Sequence, residues 1–305
     1  MNQPNASQSV RRDLYQHVTN RILEDLECGV RPWLKPWSVS NVGSSILPCR
    51  HNGIPYQGVN VLLLWSEAVT RGYAATIWMT FRQALELGAH VRKGETGTPV
   101  VFADRITRAE DGENGESVER SIPYLKSYTV FNVEQIEGLP PMYLPRAPAP
   151  TSAETRHVQA EGFIAATRVI IRFGGDRAFY APAFDVIQLP PLPAFRDTEG
   201  YYSTALHELT HWTGHPSRCA RELNGHRFGS ESYAFEELVA ELGSAFLCAE
   251  LGITPEVRDD HAAYLASWLA VLKQDKRAIF TAASQAQRAA DYLRGLQPAV
   301  DAEMA

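Results

Sequence analysis

Apolar residues recur every four positions at Val10, Leu14, Val18, Ile22 and Leu26, with Gly29 just beyond. That spacing predicts an amphipathic helix over 9–29. An irregular stretch follows, from Arg31-Pro32-Trp33 to Pro36-Trp37 and on through the Gly- and Pro-containing 48–58. A second helix is expected over 60–71, stopped by Gly72, and Thr80-Phe81-Arg82-Gln83 is a capping box that opens a short helix ending at Gly88. From Thr98 the period changes to two. Residues 99–103 and 124–133 flank Asp111-Gly112-Glu113-Asn114-Gly115, the pattern of one long hairpin.

Five prolines between 138 and 152 mark a linker. Beyond it, Thr151-Ser152-Ala153-Glu154 caps another helix, and short strands are expected near 169–173, 178–180 and 184–189. Then comes a helix with Tyr201, Tyr202, Ala205, Leu206 and Leu209 on its apolar side. Thr198 or a neighbour would cap its start, and Gly214 stands where a left-handed cap would close it. A helix over 232–251 carries Leu238, Leu242, Ala245 and Phe246 at helical spacing; two more, at 255–273 and 276–296, close the chain. Phe81 and Trp65 are expected in the core. No internal repeat is visible. The fold class is α+β: an α+β domain over 1–137, the linker over 138–152, and a small sheet with packed helices over 153–305.

A chain of 305 residues is long enough for two domains of ordinary size. No apolar run approaches membrane-spanning length, and the N-terminus lacks the basic start and apolar block of a secretion signal. The four cysteines, Cys28, Cys49, Cys219 and Cys248, are widely spaced and read as reduced thiols in cytoplasm. Net charge is −6, unevenly spread: residues 1–150 carry 15 basic and 15 acidic side chains, residues 151–305 carry 14 and 20. Five of the acids in the first half fall between Glu110 and Glu119. Outside that loop the first half is mildly basic, which permits nucleic-acid binding there and argues against it in the second half.

The most informative chemistry is His207-Glu208-Leu209-Thr210-His211. On a helix, residues four apart share a face, so two neutral imidazoles converge where zinc can bind. Glu208 is then placed as the general base, taking a proton from the attacking water. The pattern fixes only three positions, so neighbouring sequence must decide between this reading and two ordinary surface histidines. A catalytic zinc usually takes three protein ligands. The 232–251 helix offers Glu237 and Glu241, four apart, and carboxylates on a packed face are costly unless paired or metal-bound. Glu237 is assigned as third ligand and Glu241 as the group orienting a ligating histidine, the reverse assignment being the alternative. Glu236 is expected to face solvent. Position 217 is Ser, which excludes a third ligand ten residues after His207; His215 is read as a loop residue or a support to a ligand and not as a ligand, and His226 as a solvent-exposed loop residue, with lining the site as its alternative. Zn2+ is the expected metal, with another divalent ion such as Mn2+ as the alternative.

Aromatic and basic residues interleave in the first half: Trp33, Lys35, Trp37, Arg50, Asn52 and Tyr56 in irregular segments, then Arg82 and Lys93. Aromatics that stack on bases beside cations that hold phosphates suit a single strand of DNA. A core role for the aromatics is the competing reading.

Phe81-Arg82-Gln83-Ala84, Gly88-Ala89-His90-Val91-Arg92-Lys93-Gly94-Glu95 and Val130-Phe131-Asn132-Val133-Glu134-Gln135 resemble the N-terminal domain of ArdC-type antirestriction proteins. The stretch from Tyr201-Tyr202-Ser203 to Gly214, with Glu236-Glu237-Leu238-Val239-Ala240-Glu241-Leu242, resembles the zincin-like metallopeptidase domain of the same family. The resemblance covers nearly the whole chain, and similar N-terminal modules occur on TraC-type plasmid primases. It implies a plasmid-associated cytoplasmic protein that binds single-stranded DNA and protects incoming DNA from host restriction during conjugation. A host restriction enzyme or another protein would be the peptidase substrate. The metal ligands it implies are His207, His211 and Glu237. Glu241 stands where many zincins carry Asp or Asn. The alternative from another class is a non-catalytic DNA-coating or restriction-blocking module whose metal is structural.

Overall fold

The computed structural model describes residues 13–33, 46–111, 117–143, 153–221, 230–254 and 262–298. Helix α1 (Leu14–Glu27) starts where the Asp13 side chain accepts the Gln16 N–H, and its apolar stripe of Val18, Ile22 and Leu26 is buried as the four-residue spacing requires. Strand β1 (Cys49–Arg50) precedes α2 (Val59–Arg71), which Gly72 ends in the left-handed conformation. Strand β2 (Ile77–Thr80) leads into α3 (Phe81–Glu86). Here the capping box forms in full, Thr80 accepting from the Gln83 N–H and Gln83 from the Thr80 N–H. Phe81 is half exposed and only edges against Phe131, contrary to the expected core position, because α3 has too few turns to bury a complete face.

After β3 (His90–Val91) comes the long hairpin of β4 (Thr98–Asp111) and β5 (Ser117–Asn132), longer on both arms than the apolar runs alone predict. The four-stranded sheet runs β1-β2-β5-β4, with β1 parallel to β2 and the remaining neighbours antiparallel. A two-residue strand β6 (Ile136–Glu137) pairs with β3.

Helix α4 (Ala153–Ala166) then precedes a small sheet of β7 (Ile170–Phe173), β8 (Phe179–Ala181) and β9 (Val186–Leu189), with β9 in the middle, parallel to β7 and antiparallel to β8. Helices α5 (Thr198–Trp212), α6 (Glu231–Leu251), α7 (Ala262–Gln274) and α8 (Ala278–Gly295) follow. Asp197 is the cap of α5. Its end is closed by Thr213 in right-handed conformation and not by a left-handed Gly214, whose N–H instead reaches His211 O and continues the chain into a turn.

Two apolar cores meet at α6. One joins Ile22, Trp33, Leu62 and Trp78 of the first half to Leu238, Leu242, Phe246 and Trp268 of the second. The other packs Tyr180, Ile187 and Leu189 of the small sheet and Phe163 of α4 beneath Leu206 and Leu209 of α5. Because α6 contributes to both, its apolar residues go nearly right round the helix. The stripe of Ala278, Ala282, Ala286 and Ala290 on α8 is fully buried, small side chains allowing a close helix contact. All four cysteines are free thiols, with burial pushing Cys248 up to about 12. Among the described residues no helix is long and apolar enough to cross a membrane.

Candidate metal centre

The site is built where α5 lies against α6. Their approach is close because Gly243 has no side chain: a Cβ there would stand 2.5 Å from Thr210 Cγ2. Ser244 adds a cross-helix pin, its hydroxyl donating to Ser203 O at 2.9 Å. This contact aligns one face of α5 with one face of α6. His207 and His211, one helical turn apart, project into the seam with their Nε2 atoms 3.2 Å from one another.

The Glu237 carboxylate straddles the pair, Oε2 lying 3.5 Å from His207 Nε2 and Oε1 3.6 Å from His211 Nε2. Ligand bonds of 2.0–2.2 Å around a tetrahedral ion imply donor–donor separations of roughly 3.3–3.6 Å. The two imidazole nitrogens stand close to that spacing, and each Glu237 oxygen stands at it from a different imidazole, so the carboxylate bridges the pair beside the place an ion would take. Among the described residues this trio is the one group of His, Cys, Asp or Glu whose ligand atoms gather closely enough, within 4.8 Å, to hold a metal ion. Two imidazoles and a carboxylate fit a divalent transition metal.

Electrostatics follow from the burial. Burial alone would lower the His207 imidazolium, yet Glu237, with Glu208 and Glu241 beside it, outweighs burial and raises its pKa to about 9. Burial would likewise raise Glu237, but the two imidazoles hold it down at about 2, helped by the Tyr233 hydroxyl. Metal-free, the cluster is a buried ion pair whose proton a cation must displace.

Glu241 Oε2 lies 3.8 Å from His207 Nδ1, on the ring nitrogen opposite Glu237. Glu236 is not solvent-facing as the sequence suggested. It is 7% exposed and accepts the His211 Nδ1–H at 3.1 Å. Arg221, equally buried, braces that carboxylate with Nη2 2.9 Å and Nε 3.1 Å from its oxygens, and ties it to α5 through Thr210 O and Thr213 Oγ1. Burial would raise Glu236; His211 and Arg221 hold it below its usual range. Four-residue spacing could not reveal this, since counting faces presumes that one side of α6 is free, and none is.

Glu208 is buried beside His207 on α5 and, among the described residues, accepts no hydrogen bond. Tyr233, one turn before Glu237, directs its hydroxyl toward Tyr264 at 3.3 Å. His215 is held in the turn after α5, its Nδ1 accepting the Ser217 N–H, and takes no part in the trio. His226 lies outside the described residues.

The residues expected to touch DNA are not gathered in the same way. Trp33 and Tyr56 are both buried, Trp33 edge-on to Trp268 at 6.0 Å and Tyr56 beneath the Arg50 guanidinium, so neither ring is open for stacking. Arg50, Asn52, Arg82 and Lys93 are exposed, with Arg82 paired to Glu86 and the Asn52 side chain accepting the Ile54 N–H. Lys35 and Trp37 lie outside the described residues.

Comparison with known proteins places both halves. A family model described as the N-terminal domain of anti-restriction factor ArdC matches residues 12–131, and one described as a zincin-like metallopeptidase matches residues 158–285. The protein y4eC of Sinorhizobium fredii is 43% identical over 292 residues, covering 93% of this chain and 92% of its own. DNA primase TraC of Escherichia coli is 42% identical over 299 residues; the match takes in 93% of this chain, and thus both halves, but 27% of the primase. Crystal structures of antirestriction protein ArdC from plasmid R388 superpose in metal-free form with TM-score 0.78 at 47% identity, covering 93% of this chain and 98% of that one. The Mn(II)-bound form gives 0.77 at 46%, covering 94% and 99%. Similarity of this degree, end to end and in both halves, makes the chain a member of the ArdC antirestriction family.

Proposed function

We propose that this chain is an antirestriction protein that binds single-stranded DNA through residues 1–137 and carries a zinc-dependent peptidase-type site in residues 153–305. Residues 138–152 link the two. These ranges divide the work and not the packing, because one apolar core draws on both. The observation that carries the reading is the convergence of His207, His211 and Glu237, one ligand atom from each lying within 4.8 Å of the others, in a chain of the ArdC family. Free, widely separated thiols agree with a cytoplasmic protein. The Mn(II)-bound relative supports a divalent metal, Zn2+ or Mn2+, on this trio.

When bound, such an ion polarises a carbonyl oxygen and acidifies water. The chain's own groups do the rest. Glu208 takes a proton from the attacking water and returns it to the departing nitrogen, acting as base and then as acid. Tyr233, whose hydroxyl lies by Glu237, is positioned to donate to the developing oxyanion. Glu236 and Glu241 hold the two imidazoles from behind. The natural substrate would be a protein of the host restriction system.

A Glu208→Gln variant tests catalysis. It should keep its metal and its DNA binding and lose protection of incoming DNA; protection at the wild-type level would mean a DNA-coating module with a structural metal. Metal content per chain for the wild type, His211→Ala, Glu237→Ala and Glu241→Ala tests the ligand set. Loss is expected in the first two variants and retention in the third, whereas loss in Glu241→Ala alone would exchange the roles of the two glutamates.

A further inference from the structure

The β4–β5 hairpin has arms of 14 and 16 residues. Its inner rungs are covered: Val100 and Val130 are buried in the main core, and the Asn60 side chain of α2 both donates to Val101 O and accepts its N–H, at 2.8 Å each. Past that point, among the described residues, the face is exposed at Phe102 and Tyr128. The register sets Val100 opposite Tyr128, Phe102 opposite Lys126 and Asp104 opposite Tyr124, so these residues share one side of the ladder.

A solvated sheet face is ordinarily polar. This one instead carries Phe102, 45% exposed, and Tyr128, 47% exposed, with ring centroids 6.2 Å apart. Tyr124 stands one rung further out, its hydroxyl donating to Asp104. Lys126 lies among them with its ammonium 5.0 Å from the Tyr124 ring centroid and, among the described residues, no carboxylate partner.

Exposed aromatic rings flanking the Lys126 ammonium complement a polyanion whose bases are unpaired. They do not complement a duplex, whose bases present no open face for stacking. Building on the reading that this chain binds single-stranded DNA, we infer that the strand lies along the exposed face of the β4–β5 hairpin. Its bases stack on Phe102, Tyr124 and Tyr128, and Lys126 meets its phosphates. The surface is distinct from the Trp33–Tyr56 region, whose rings serve the core.

The test is fluorescence anisotropy of full-length protein with a labelled 20-nucleotide oligothymidylate across a salt series. Phe102→Ala and Tyr128→Ala should each weaken binding roughly 5- to 100-fold. Lys126→Glu should weaken it and lower the slope of log affinity against log salt by about one. Because these side chains are exposed, melting temperature and metal content should match the wild type. Binding by all three variants at wild-type strength overturns the assignment of the hairpin while leaving the single-strand reading intact. A wild-type protein that fails to bind the oligonucleotide overturns both. Variants that change the mass seen by light scattering but not oligonucleotide affinity would make the face a self-association surface instead.

Discussion

His211 donates from Nδ1 to Glu236 at 3.1 Å, and Glu236 is itself clamped by the buried Arg221. The arrangement fixes the tautomer: with the proton on Nδ1, the Nε2 lone pair of neutral His211 faces Glu237 and the centre of the trio. Arg221 brings the clamp from the turn after α5, so one side chain ties that turn, the last carbonyls of α5 and the start of α6 together. Glu236→Gln should therefore weaken metal binding roughly 10- to 100-fold in chelator competition. Glu236→Ala should also cost about 3–5 kcal/mol of stability, because it strands a buried guanidinium. The paired change Arg221→Met with Glu236→Leu removes both charges and should fold better than Glu236→Ala while still binding metal weakly. Wild-type metal affinity in the paired variant would reduce the clamp to packing.

The His207–Glu237 pair sets a pH dependence of known sign. His207 is raised from 6.5 to about 9 in the metal-free fold, so its stabilisation is complete below pH 6.5 and disappears as pH rises through about 9. Glu237 is lowered from 4.5 to about 2, so the same pair is complete above pH 4.5 and lost as pH falls through about 2. Metal-free protein should thus gain most from this pair between pH 4.5 and 6.5. Metal acts in the opposite direction, since it must displace the His207 proton and so binds more tightly as pH rises toward 9. Thermal melts with and without Zn2+ should show the apo Tm falling from pH 6.5 to 9 while the metal-induced gain grows. A gain independent of pH would place the ion elsewhere.

Gly243 and Thr210 set the spacing of the metal-bearing helices. A Cβ at 243 would lie 2.5 Å from Thr210 Cγ2 and 2.8 Å from its hydroxyl oxygen, while the Thr210 hydroxyl is occupied donating to Leu206 O at 2.9 Å. Gly243→Ala should destabilise by about 1–3 kcal/mol through overpacking and weaken metal binding by shifting α6 against α5. Adding Thr210→Ala should recover part of both losses, since it removes the two nearest atoms. Chemical denaturation of the single and double variants reads this coupling directly.

Much of this architecture is legible in the sequence because local rules decide it. Gly72 ends α2, Thr80 and Gln83 cap α3, and the four-residue step of His207 and His211 brings their imidazoles together. What fails does so where long-range packing overrides local pattern. Glu236 is hidden because α6 is wrapped on nearly every side. Gly214 is not a left-handed cap because the chain turns on to deliver Arg221. Trp33 and Tyr56 sit in irregular segments that look like loops, yet the main core closes over them.

Trp33 shows how that last difference can be measured. Its indole is 2% exposed and lies edge-on to Trp268, whose ring stacks on Tyr264, which in turn meets Tyr233 beside Glu237. A residue that stacked on DNA would, when truncated, lower affinity and leave stability alone. A core residue does the reverse. Trp33→Ala should cost about 3–5 kcal/mol and lower the Tm, while the fraction that remains folded binds single-stranded DNA as the wild type does. Tyr56→Phe should be milder, because the ring that fills the core is kept. Should Trp33→Ala melt like the wild type yet lose the oligonucleotide, the ring would have to leave the core when DNA arrives, and the packing of α7 against α1 would have to open with it.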